Sequence, residues 1–180
     1  MIEIVICPGF HSPELTEGFL ASLDKQIETE DDFNVTVFPT ENYPAYSAID
    51  ICDFLWSKFG KPANCNPLVL IGFSAGVVGA VGAAWLWELQ GGKVQALVAV
   101  DGWGVPLWGN FPIYRLSHDY FTHWSSALLG EGKGSFYAEP PVEHQELWEF
   151  PQKVYGWWIK HPGCKVYCCA TEFLVDCLHN

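Results

Sequence analysis

The chain has 180 residues, 49% of them hydrophobic, which supports one packed domain and excludes a disordered chain. Its net charge is −12 and Arg115 is its only arginine. That balance disfavours nucleic-acid backbones, anionic lipid surfaces and phosphate-rich ligands.

Ile2 to Cys7 is a run of mostly β-branched residues and reads as a buried first strand rather than a signal peptide. A loop follows, Pro8-Gly9-Phe10-His11-Ser12-Pro13. Leu15, Phe19, Leu20, Leu23 and Ile27 then recur at helical spacing, predicting a helix over about 14–28 capped by Ser12 or Thr16. Glu30-Asp31-Asp32 reads as a solvated turn, and Phe33 to Phe38 as a second strand ended by Pro39. Ile49, Phe54, Leu55, Trp56 and Phe59 predict a helix over about 46–59, stopped by Gly60 and Pro62.

Leu68 to Ile71 is the third strand, and it breaks into Gly72-Phe73-Ser74-Ala75-Gly76 before a small-residue helix that runs to about Leu89. Strand, sharp turn and helix around G-x-S-x-G form the pattern called the nucleophile elbow, which lifts a serine above the sheet edge. The alternative is a glycine-rich turn with an idle serine. Gly76, Gly79 and Gly82 each cost about 1 kcal/mol of helix propensity, a cost that makes sense if that face lies close to the sheet. The 75–90 stretch is also the nearest approach to the roughly 18 apolar residues of a membrane span. Its glycines and Glu88 fit packing on a sheet better.

Val94 to Val100 is the fourth strand, followed by Asp101-Gly102-Trp103-Gly104. Ile113 to Leu116 or Ser117 is the fifth, followed by His118-Asp119. A glycine-containing loop leads to a sixth near Ser135 to Ala138, then to Pro140-Pro141-Val142-Glu143-His144 and a helix interrupted by Pro151. The tail from Cys164 to Asn180 fits either strand or helix. The pattern predicts a single α/β domain over 1–180: a mostly parallel sheet of about six strands with helices on both faces. Sites in such sheets lie beyond the carboxyl ends of the strands. Ser74 and the loops at 8–13, 101–104, 118–123 and 140–144 all lie there.

On Gly72–Gly76 and the order of elements around it, the chain resembles a small single-domain α/β-hydrolase-fold family of serine esterases and thioesterases. Relative to that family it begins at the equivalent of the third strand, and it leaves little room for a lid. The resemblance implies a Ser–acid–His order. Ser74 takes the nucleophile position, His144 the histidine and Asp119 the acid, with Asp101 as the rival acid. His118 and His123 are the other candidate bases. It also implies an oxyanion hole from the Ala75 N–H and, in the loop after the first strand, Phe10 N–H or the neighbouring His11, which could instead form a polar wall. As simple roles, Asp119 would cap a helix near Phe121 or Thr122, Asp101 would form a turn, and His144 would be an exposed helix residue.

Trp103, Trp108, Phe121 and Trp124 fall on loops at the same edge and suit an apolar acyl chain or aromatic ester, or else core or dimer contacts. The expected reaction is hydrolysis of an ester or thioester through an acyl-enzyme, with no metal or organic cofactor. The alternatives are an acyltransferase and a non-catalytic binder of a ligand or protein on the same fold. A homodimer stays open. Gly130 to Ser135 lacks the spacing of a phosphate-binding loop, and His118, Asp119 and His123 match no familiar metal frame. The seven cysteines contain no C-x-x-C pair and are expected to stay reduced, in keeping with a cytoplasmic protein.

Overall fold

The computed structural model describes residues 1–26 and 33–179. The expected turn at Glu30–Asp32, and Ile27, lie outside the described residues. The elements in chain order are β1 (Ile2–Cys7), α1 (Pro13–Asp24), β2 (Phe33–Val37), α2 (Ala48–Phe59), β3 (Leu68–Phe73), α3 (Ala75–Leu89), β4 (Val94–Val100), β5 (Ile113–Ser117), α4 (Tyr120–Ala127), β6 (Gly134–Ala138), α5 (His144–Glu149), β7 (Tyr155–His161), β8 (Cys164–Cys169) and α6 (Ala170–His179).

The strands form one sheet in the order β2-β1-β3-β4-β5-β6-β7-β8. The first six pair in parallel, while β7 and β8 add an antiparallel edge. Among the described residues the strand count is therefore eight, where the sequence predicts about six. The two additional strands lie where that reading extended a helix past Pro151 and where it left the tail undecided. Pro151 instead starts a short 3₁₀ turn, Pro151–Lys153, and the chain leaves it extended. The tail is both things in succession, a strand and then a helix.

The central strands read as mostly apolar runs because both faces are covered. Ile4, Ile6, Val69, Ile71 and Val98 point into one core with Phe19 of α1, Trp148 of α5 and Phe173 of α6. Val5, Cys7, Leu68, Leu70 and Ala99 point into the other, with Ile51 and Leu55 of α2 and Val77 and Ala80 of α3. All seven cysteines are free, and burial pushes the Cys7 thiol up to about 12 and the Cys168 thiol up to about 11. Among the described residues no helix is long and apolar enough to cross a membrane.

The glycines of α3 serve two neighbours. A Cβ on Gly76 would sit 2.1 Å from the carbonyl oxygen of Cys7, so this position brings α3 against the end of β1. Gly79 and Gly82 face α2, not the sheet as expected: a Cβ would come within 2.5 Å of Ala45 O at Gly79 and of Ala48 Cβ at Gly82. Their cost in helix propensity is offset by a close helix–helix approach.

Candidate functional site

Two non-glycine residues among those described have positive φ, and both sit at carboxyl ends of central strands: Ser74 after β3 (φ 52°) and Asp101 after β4 (φ 50°). Such conformations cost of order 1–3 kcal/mol and persist only where the surroundings impose them. At Ser74 the backbone N–H donates to Val100 O at 2.9 Å while the chain turns directly into α3, and the hydroxyl caps no helix amide. At Asp101 the N–H donates to Leu116 O at 2.8 Å, tying the turn to β5.

Two imidazoles converge on the Asp101 carboxylate. Oδ2 lies 2.6 Å from His144 Nδ1 and 2.9 Å from His118 Nδ1, and Oδ1 accepts from the His118 backbone N–H at 2.9 Å. The Asp101 side chain is 1% exposed. Burial alone would push its carboxyl up, but the hydrogen bonds from His118 and His144 outweigh it and hold the group below the usual carboxylate value. A carboxylate accepts from both rings only if each Nδ1 carries its proton. This leaves the His144 Nε2 lone pair unused and available as a base.

His144 is held from the other side by rings. It stacks on Phe73, the residue before Ser74, at 4.5 Å and 23°. The imidazole thus sits between a buried carboxylate and the strand that delivers the serine. Ser74, Asp101, His118 and His144 line one cavity of about 500 Å³, together with Ala75, Val78, Trp103, Val105, Phe121 and Thr122.

The carboxylate on His144 is therefore Asp101, not Asp119. Asp119 caps α4: its Oδ1 accepts from the Thr122 N–H at 2.6 Å. Its other oxygen lies 3.6 Å from His118 Nε2. α4 starts where the sequence offers either a loop or a helix capped by Asp119, and the helix is what forms.

Of the four aromatic residues expected at the site, Trp103 and Phe121 line the cavity. Trp108 packs instead against Trp85, 5.0 Å away, and Trp124 lies 6.3 Å from Phe121 outside the cavity lining.

The loop after β1 comes close to the serine, since a Cβ on Gly9 would meet Phe73 O at 2.9 Å and Ser74 Cβ at 3.0 Å. Ala75, as the first residue of α3, has no acceptor within its own helix for its N–H. The His11 N–H donates to Gly9 O, so of the two expected donors in that loop it is already engaged. The His11 ring does not line the cavity. Its Nε2 bonds Thr16 Oγ1 at 2.8 Å, and burial, with the nearby His144, keeps it below the ordinary imidazole value.

His123 turns away from the site as well. Its ring lies 4.9 Å from Tyr137, its Nδ1 is buried without a partner, and its carbonyl accepts from Arg115 Nη1 at 2.8 Å. Burial, reinforced by the Arg115 charge, pushes it down to about 4. A histidine whose folded value is depressed stabilises the fold above its unfolded value of about 6.5 and loses that contribution as pH falls through the folded one. Between about pH 6.5 and pH 4, the urea midpoint of the wild type is expected to fall more steeply than that of His123→Phe. Equal slopes in the two titrations would contradict this.

Asp101, His118 and His144 could each offer one ligand atom to a metal, all within 4.8 Å of one another. Two of the separations, 2.6 and 2.9 Å, are hydrogen-bond lengths. Ligands around one tetrahedral zinc stand roughly 3.3 Å apart, so the arrangement as it stands is a hydrogen-bonded cluster.

The sequence reading weighs His118 as an alternative base and as part of a rejected metal frame, not as a partner of Asp101. Two strands ending in Asp101 and in Ser117-His118 at adjacent positions of a parallel sheet would have been the signal for their contact. No protein-family model matches the chain, and no curated protein matches it either.

Proposed function

We propose that the protein is a serine hydrolase on an α/β-hydrolase-like fold, cleaving a carboxylic ester or thioester with an apolar or aromatic acyl group. The observation that carries this reading is the 2.6 Å contact between His144 Nδ1 and a buried Asp101 oxygen, at the cavity that Ser74 also lines. The positive φ of Ser74 at the β3–α3 junction supports it, as a strained elbow presents a hydroxyl at the sheet edge.

In this reading Ser74 Oγ attacks the carbonyl carbon and His144 Nε2 takes the hydroxyl proton. Asp101 stays ionised and supports the imidazolium. The proton passes to the leaving alcohol or thiol as the acyl bond to it breaks, and the acyl group remains on Ser74. A water then repeats the sequence, with His144 as its base, and releases the acid. In this reading the N–H groups of Ala75 and Phe10 donate to the negative charge that forms on the carbonyl oxygen. Val78, Trp103, Val105 and Phe121 give the cavity its apolar wall.

A fluorophosphonate probe is expected to label the wild type and to leave Ser74→Ala unlabelled. Nitrophenyl esters of increasing chain length should then rank the acyl groups. A folded wild type that neither reacts with the probe nor hydrolyses any ester removes the reading.

A further inference from the structure

In a Ser-His-Asp arrangement the carboxylate serves one imidazole. Here it serves two, through the same oxygen. We propose that His118 is a positioning residue that divides the Asp101 carboxylate between two rings, so that it limits the support given to His144 and moves the working range of the Ser74–His144 pair to lower pH. The proposal rests on the hydrolase reading above.

The geometry is specific. His118 fixes both oxygens of Asp101, Oδ1 through its backbone N–H and Oδ2 through Nδ1. The His118 and His144 rings cross at 77° with centroids 5.9 Å apart, so both meet Oδ2 without stacking on each other. An acceptor shared between two donors gives each less than it would give one alone.

The groups around His118 favour its charged form. Asp101 faces it from the end of β4, Asp119 from its own loop, and Glu143 from the start of α5. The hydrogen bond to Asp101 comes first in raising it above the ordinary imidazole value, against an opposing effect of burial. His144 faces it from α5, and beyond His144 lies His11, which burial keeps toward the neutral form. A charged His118 opposes a second positive charge on the same carboxylate. When His144 takes the Ser74 proton, it does so beside a ring that already draws on Oδ2. Two groups coupled in this way titrate as a pair.

The test follows fluorophosphonate labelling of Ser74 against pH in the full-length protein. In His118→Phe the acid limb is expected to move up by about one pH unit, the usual scale for removing a nearby charge. In His118→Gln the amide still donates to Oδ2 without charge, and a smaller shift in the same direction is expected. A limb that stays in place while the rate falls assigns His118 a structural role only and overturns the proposal. If His118→Phe does not fold, the Gln variant decides alone.

A wild type that the probe does not label would sink the hydrolase reading and leave the sharing of Oδ2 to proton NMR. The wild type should show two far-downfield imidazole Nδ1 proton resonances. In His118→Phe the one remaining should move further downfield, since Oδ2 then serves a single donor. A remaining resonance that does not move overturns the proposal independently of activity.

Discussion

Asp101→Asn is expected to lower the rate of Ser74 acylation on the order of 10⁴-fold, the scale on which an orienting triad carboxylate acts. The carboxylate does two things that an amide does not. It accepts from two Nδ1 donors on one oxygen, at 2.6 and 2.9 Å, and its charge supports the imidazolium that forms on His144. An asparagine that turns its NH₂ toward His144 makes Nδ1 the acceptor and places the ring proton on Nε2, the tautomer that leaves Nε2 without a lone pair. Asp119→Asn gives the contrasting result. Its work is to accept the Thr122 N–H at the start of α4, and asparagine caps helices as well as aspartate does. Single-turnover acylation of the two variants separates the carboxylates. A larger loss at Asp119 than at Asp101 would reverse the assignment.

The choice between these two aspartates marks the limit of what the sequence shows about the site. Both follow a β-strand and both precede the histidine in chain order, and the resemblance favours Asp119 as the acid, with Asp101 as its rival. Local chemistry separates them. Tyr120 to Ala127 folds as α4, and a helix start uses an N-cap acceptor, which absorbs the Asp119 side chain. Asp101 heads no helix. It holds a positive φ that asparagine and aspartate tolerate better than most residues, and its buried oxygens are left to the rings brought by β5 and α5. The same blindness hid the contact between Asp101 and His118, since chain order does not show which strand ends lie side by side. His118 Nδ1 reaches across to the neighbouring strand end.

The parallel part of the fold was the legible part. Each of β1, β3 and β4 is an apolar run closed by a glycine or proline nearby, and burial on both faces makes such runs stand out. The antiparallel edge was not legible, because Tyr155 to Cys169 mixes tryptophans with lysines. The reason is visible in the packing: Lys160 Nζ lies 4.0 Å over Trp158 and Lys165 Nζ lies 4.1 Å over Trp157. These lysines cover aromatic faces with their stems and ammonium groups, which blurs the alternation expected of an edge strand. Arg115 carries a similar lesson. A lone arginine in a strand looks like a surface charge, yet this one is 4% exposed. It donates to Glu131 O, His123 O and Ser126 Oγ, bracing α4 and the loop after it against β5.

Trp148→Ala is expected to cost about 3–5 kcal/mol of stability, the range for removing a fully buried large aromatic side chain, and to slow acylation beyond what unfolding explains. Trp148 has no exposed surface. It is the middle of a column of rings that starts at α1 and ends at the candidate base. Phe19 stacks on Trp148 at 3.9 Å and 7°, Trp148 on Phe73 at 4.8 Å and 12°, and Phe73 on His144 at 4.5 Å and 23°. Its indole N–H donates to Thr16 Oγ1 at 3.3 Å, the same hydroxyl that His11 Nε2 meets. Truncation opens a cavity on one side of Phe73, and that ring is the floor on which His144 rests. Asp101 would still hold one edge of the imidazole, but its tilt would no longer be fixed from below. Trp148→Phe keeps a ring in the column and gives up the bond to Thr16, at a cost of about 1 kcal/mol for that bond, and is expected to acylate near the wild-type rate. Urea unfolding and probe labelling, both measured where each variant is fully folded, separate the two effects. An alanine variant that is folded and labels as fast as the wild type would show that Asp101 alone positions His144.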